Sequence, residues 1–287
     1  RCCIVSKLVT NGCSMTWGGG FTYGNLIKVA EENNMSMCRC VSYIRRRKKL
    51  DNTYHGPNYG VLPNEPELGV CKNNCTPELA RKSITYPQKL AKLLGSEELF
   101  DLSKPGESCQ YVVRTTIDFF LKKIEEHTDL SDYIVVLQLP IGLRFEYWND
   151  DIKNSSVPPS KGWKSYMIAQ SDSKDIIYYF GTERYSFYNM TNSVIQLGSF
   201  LKENNIRYYI STEGESFENL SKEDDIAKRR IEYINTNYSI LGGQIDNSSL
   251  VGKEVKAREV HIPEDGHYSE HGHTVAANNI YRLINDR

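Results

Sequence analysis

Residues Tyr133-Ile134-Val135-Val136-Leu137-Gln138-Leu139 form a run that is apolar on both of its alternating faces. Such a strand needs cover on both sides, as the central strands of parallel sheets have. Shorter strand-like segments, Lys7–Thr10, Leu99–Leu102 and Ile206–Ile210, alternate along the chain with helical ones. Pro87–Gly95 reads as a helix stopped by its glycine, and Val113, Ile117, Phe120, Leu121 and Ile124 recur at helical spacing. Further helices are expected around Phe21–Glu32, Ser193–Glu203, Lys222–Asn235 and Thr274–Asn285. This alternation predicts an α/β fold, a mostly parallel sheet between two helical layers. With 287 residues the chain fits one enlarged domain over 1–287, interrupted by a cysteine-rich insertion at about 33–83 and an aromatic-rich one at about 147–190.

Charge narrows the partners. Lys and Arg number 35 against 36 Asp and Glu, so no global field favours nucleic acid or an anionic membrane. The basic run Arg45-Arg46-Arg47-Lys48-Lys49 reads as a solvated face. No apolar run approaches the ~20 residues of a membrane span, and the segment after Arg1 has no signal-like apolar stretch. A chain beginning at Arg rather than Met is compatible with processing or an incomplete N-terminus, so localisation stays open. All 8 cysteines fall between Cys2 and Cys109. Cys38, Cys40, Cys71 and Cys75 can supply four thiolates to a structural zinc, pair as disulfides in an oxidising compartment, or stay reduced.

Chemistry concentrates at the two ends. Thr10-Asn11-Gly12-Cys13-Ser14-Met15-Thr16 follows the first strand, and Gly12 allows a sharp turn that offers the Ser14 hydroxyl. Glu264-Asp265-Gly266-His267 places carboxylates beside an imidazole. A hydroxyl becomes a nucleophile when a base takes its proton and a third group holds that base in one tautomer. Ser14, His267 and Asp265 can fill these roles, with Glu264 the alternative orienting acid. No cofactor is required for that chemistry. Cys13 beside Ser14 is a weaker candidate nucleophile, since neighbouring side chains point apart. Gly12-Cys13-Ser14-Met15-Thr16 lacks the second glycine of the G-x-S-x-G elbow, which disfavours the α/β-hydrolase family.

These blocks resemble the SGNH, or GDSL-like, hydrolase superfamily, in the diverged form found in bacteriophage and other viral genomes. The resemblance covers both ends and about residues 86–146. It implies a three-layer α/β/α, flavodoxin-like fold with long loop insertions. It also implies Ser14 as nucleophile, His267 as base and Asp265 as its orienting acid. The oxyanion hole would comprise the backbone N–H groups of Ser14 and Gly106, the latter in the block Asp101–Gln110, with Gln138 the nearest amide side chain for the family's missing asparagine. Cys13 stands where the family has an aspartate. Arg144 and Glu146 match an Arg-x-Glu of the phage-like branch; they are expected to pair near the rim, with Arg144 also a candidate for an acidic substrate group.

The resulting expectation is a serine esterase that cleaves an acyl ester, acetyl included, through an acyl-enzyme. Trp148, Trp163 and the tyrosines around them suit stacking on sugar faces, hence a carbohydrate ester. The competing expectation is a binding or structural protein of a viral particle, on the same fold with a decayed site.

Overall fold

The computed structural model describes residues 7–13, 16, 83–104, 106–140, 142–148, 163–167, 178, 180–212, 216–246, 248–251, 260 and 267–286. Ser14, Glu264, Asp265, the expected helix at 21–32, the cysteine-rich insertion and much of the aromatic-rich one lie outside the described residues.

Four strands, β1 (Lys7–Asn11), β2 (Glu98–Asp101), β3 (Tyr133–Gln138) and β6 (Arg207–Ser211), form one sheet in the order β2-β1-β3-β6. All its pairings are parallel: Val9 lies opposite Phe100 and Val135, and Val136 opposite Thr10 and Tyr209. Every residue of β3 is buried, as the apolar run predicts for a central strand. An isolated parallel bridge between Ile210 and Ile240 continues the sheet beyond β6.

The pleat sends alternate side chains to two separate cores. Val9, Val135, Leu137, Tyr208 and Ile210 join the core under α2 (Cys109–Glu125), α3 (Glu183–Glu203) and α5 (Asp225–Asn237), which α4 (Glu218–Glu223) precedes. Leu8, Ile134, Val136 and Tyr209 join the opposite core, under α1 (Tyr86–Leu94) and α6 (Glu270–Asn285). The molecule is therefore a three-layer α/β/α structure with a parallel, flavodoxin-like strand order. In that order the chain leaves β1 toward β2 and returns to β3, so the C-terminal ends of β1 and β3 form the switch point at which sheets of this order generally carry their binding crevice.

Local signals explain the element ends. Pro87 occupies the first turn of α1, and Gly95 ends it at φ 64° with its N–H on the last-turn carbonyls. Ser108 caps α2 by accepting from the Tyr111 N–H. Two helices start earlier than their periodicity suggests. α3 begins at Glu183, with Thr182 accepting from the Tyr185 N–H, and α6 begins at Glu270, with Ser269 accepting from the Gly272 N–H. The charged stretch forms two helices, broken at Asp224, whose carboxylate caps the second. The zone expected to be irregular after 147 also holds order: β4 (Arg144–Trp148) and β5 (Trp163–Met167) form an antiparallel pair.

Candidate active site

The first block is anchored where β1 ends. Asn11 is fully buried, and its amide nitrogen donates to the Thr115 and Thr116 hydroxyls at 2.8 and 2.9 Å and to the Val112 carbonyl at 3.3 Å. Its oxygen accepts from the Gly12 N–H at 2.8 Å, so one side chain ties the strand end to α2 and begins the turn. Gly12 must be glycine for lack of space: a Cβ there would stand 2.2 Å from the Thr16 Oγ1 and 3.0 Å from the Gln138 carbonyl oxygen.

The loop after β2 runs alongside. Leu102 N–H donates to the Thr10 carbonyl at 2.8 Å, and Lys104 N–H to the Gly12 carbonyl at 3.2 Å. The Asp101 carboxylate holds that loop by accepting from the Ser103 N–H at 3.1 Å and from the Thr10 hydroxyl at 3.1 Å. Gly106 follows, exposed and at φ 80°, a left-handed conformation that glycine adopts without strain. The first two blocks therefore meet through the Gly12–Lys104 hydrogen bond.

The third block joins them through side chains. Thr16 Oγ1 donates to Gln138 Oε1 at 2.5 Å and lies 3.2 Å from the Tyr86 hydroxyl; all three residues are fully buried. Arg144 Nη1 donates to the Glu107 carbonyl at 3.3 Å, and the Glu107 carboxylate pairs with Lys104 at 2.6 Å. Asn189 of α3 donates to the carbonyls of Gly142 at 2.6 Å and Arg144 at 3.0 Å, fixing the chain that leaves β3. Burial and the Glu107 carboxylate push the Tyr111 hydroxyl above its ordinary range, so it stays protonated; it donates to the Leu102 carbonyl at 3.1 Å.

Glu146 does not pair with Arg144. Arg144 and Glu146 share a face of β4, but α2 lies against that strand and supplies a better partner. Arg114 grips Glu146 with Nε at 3.1 Å and Nη2 at 2.6 Å, the two-pronged arrangement that a planar guanidinium favours. Burial alone would lower the Arg114 pKa, but the hydrogen bond and charge of Glu146 outweigh it and raise the pKa above its ordinary value. The Glu146 side chain is only 3% exposed, which leaves it little access to a substrate. The Arg144 Nε is likewise buried, with no hydrogen-bond partner among the described residues.

The C-terminal block reaches the same place through His273. Tyr86 N–H donates to His273 Nδ1 at 3.1 Å, which holds the buried ring as its Nε2–H tautomer. Tyr268 packs on that ring edge-on, with centroids 5.5 Å apart. Tyr86 thus touches Thr16 with its hydroxyl and His273 with its backbone, bringing the two ends of the sequence onto one residue. His267, half-buried, lies two residues before the α6 cap. The first turn of α6 is seated on Val260, whose carbonyl accepts from the Ser269 N–H at 2.8 Å and hydroxyl at 3.1 Å. A Cβ on Gly272 would stand 2.1 Å from that carbonyl oxygen. Gly272→Ala is therefore expected to lower stability by about 1–3 kcal/mol, read as a fall in urea midpoint without a change in slope.

Sequence reasoning placed Gly12, Gly106 and Gln138 around the crevice but gave no role to Asn11, Thr16, Tyr86, Arg114 or His273. Thr16 belongs to the first block, and a second hydroxyl two residues after Ser14 was the one visible signal. Cys13 and Cys109 are both buried, and the Cys109 thiol donates to the Pro140 carbonyl at 3.1 Å. No metal-binding group of three or more His, Cys, Asp or Glu occurs among the described residues; the four candidate zinc cysteines are outside them. Among the described residues no helix is long and apolar enough to cross a membrane.

No protein-family model and no curated protein matches the chain. Solved structures do. The lipase Lip_vut3 from a goat rumen metagenome is 10% identical, with 96% of this chain and 95% of the lipase covered at a TM-score of 0.42. A member of the lipolytic G-D-S-L family from Veillonella parvula is 8% identical, with 98% and 97% covered at 0.40. A GDSL-like lipase from Bacteroides thetaiotaomicron is 12% identical, with 98% and 88% covered at 0.38.

Proposed function

We propose that the chain is a serine hydrolase of the SGNH kind that cleaves an acyl ester. The observation that supports it most is the meeting of the sequence blocks at the C-terminal ends of β1 and β3. Gly12 bonds Lys104, Thr16 bonds Gln138, and Thr16 and His273 share Tyr86. Ser14 is two residues from both Gly12 and Thr16, and His267 is six from His273, which supports assigning the nucleophile and the base to these blocks.

In the proposed reaction His267 takes the Ser14 proton while Asp265, or Glu264 in its place, steadies the imidazolium. Ser14 attacks the ester carbonyl and expels the alcohol, which receives the proton back from His267; water then cleaves the acyl-enzyme by the reverse proton path. The backbone N–H groups of Ser14 and Gly106 hold the oxyanion. Arg144, whose guanidinium reaches the Glu107 carbonyl beside the loop that carries Gly106, is the candidate for an acidic group on the substrate. Trp148 and Trp163, opposite one another in β4 and β5, keep a carbohydrate ester as the favoured substrate class.

The test is a panel of nitrophenyl esters from acetyl to octanoyl, with acetylated xylan beside them. Turnover is expected for short acyl groups and lost in Ser14→Ala. No turnover of any ester, with wild-type melting behaviour, would favour a binding or structural role, including one on a viral particle.

A further inference from the structure

We infer that Thr16 is a positioning residue and that Gln138 serves the site as its acceptor, holding the Ser14 segment against the end of β3 instead of donating to the oxyanion. The inference rests on Ser14 being the nucleophile. A threonine hydroxyl has one hydrogen, and here it goes to Gln138 Oε1 at 2.5 Å. Toward Tyr86, 3.2 Å away, Thr16 must then be the acceptor, so the chain of donors runs Tyr86 to Thr16 to Gln138. The amide presents its oxygen, not its NH₂ group, to Thr16.

Each member has 0% of its surface exposed. An amide so buried, with its oxygen committed to Thr16, is built to hold a neighbour rather than to meet a substrate. Such a link in a dry interior is strong when complete and costly when broken. The fit has no slack, because Gly12 closes over Thr16 so tightly that a Cβ would stand 2.2 Å from its hydroxyl oxygen. Asn11 is fastened to α2 on one side of Ser14, and Thr16 to β3 and α1 on the other. With four residues between these two fastenings, release of Thr16 frees the segment that carries the nucleophile.

The test uses the full chain and reads kcat and KM on nitrophenyl acetate together with the rate of labelling by a fluorophosphonate. Thr16→Val and Gln138→Met are each expected to lower kcat and labelling by about 10- to 100-fold with KM within about threefold, the cost of a nucleophile displaced by about 1 Å. Because both cut the same link, the double variant should fall by much less than the product of the two single losses. Thr16→Ser, which keeps the hydroxyl, should recover to within about threefold of wild type. Tyr86→Phe keeps the buried ring and removes one oxygen, and a fall of about 3- to 10-fold is expected; it decides the matter should Thr16→Val fail to fold. Wild-type labelling in Thr16→Val or Tyr86→Phe overturns the inference and leaves the esterase reading standing. Losses that multiply fully in the double variant also overturn it, since Thr16 and Gln138 would then act through separate contacts. A wild-type protein that neither labels nor turns over ester overturns both.

Discussion

His267→Ala should lower kcat on short acyl esters by a factor on the order of 10⁴ to 10⁶ while leaving KM nearly unchanged. That is the scale on which loss of the general base disables a hydroxyl nucleophile, because the members of such a unit act together and not additively. The same change should barely affect stability. His267 is half-buried and precedes the Ser269 cap, whereas the packing of that block rests on Tyr268 and His273, both fully buried. A melting temperature within about 2 °C of wild type, measured beside the kinetics, separates lost chemistry from lost fold. Ser14→Ala should give a similar kinetic loss, and the pair together no more than either alone.

Arg114→Ala is expected to destabilise the protein by about 3 kcal/mol, the lower end of the cost of removing one partner from a buried pair, because the Arg114 side chain is itself 25% exposed. The Glu146 carboxylate, 3% exposed, would lose the two-pronged contact that solvates it. In thermal unfolding this corresponds to a fall on the order of 10 °C for a chain of this size. Arg114→Met combined with Glu146→Met removes both charges and keeps the volume, and should recover most of that loss. A single variant that melts like wild type would mean that water already reaches Glu146. The pair also fastens β4 to α2, so Arg114→Ala should disturb whatever the β4–β5 pair contributes to substrate binding, read as a rise in KM.

The layers were legible in the sequence because they depend on local pattern. Tyr133–Gln138, apolar on both faces, had to be central, and it is flanked by β1 and β6. The helix at 86–94 was bounded by Pro87 and Gly95, residues whose backbone preferences are intrinsic. Helix starts at Thr182 and Ser269 were harder, since a capping hydroxyl looks like any turn residue until the bond it accepts is seen. Residues 183–190 fell within the expected aromatic-rich insertion, yet they open α3, and Phe187 is a fully buried member of the core under it.

The polar connections of the site were less visible, for a different reason. Thr16 and Gln138 are 122 positions apart, and Tyr86 and His273 are 187 apart. Periodicity says which face a residue occupies but not which distant donor meets it there. Arg144 and Glu146 show the consequence. They sit two apart on one strand and looked like natural partners, but the packing of α2 across that strand brought Arg114 to Glu146 first. The blocks were identifiable from residue types and order; their joining through Tyr86 was not.

The most direct measurement is treatment of the intact protein with a fluorophosphonate, followed by peptide mapping of the adduct. One covalent adduct is expected, on Ser14, absent from His267→Ala and from the urea-unfolded wild type. An unlabelled Ser14 in folded protein, or labelling that persists without His267, would contradict it.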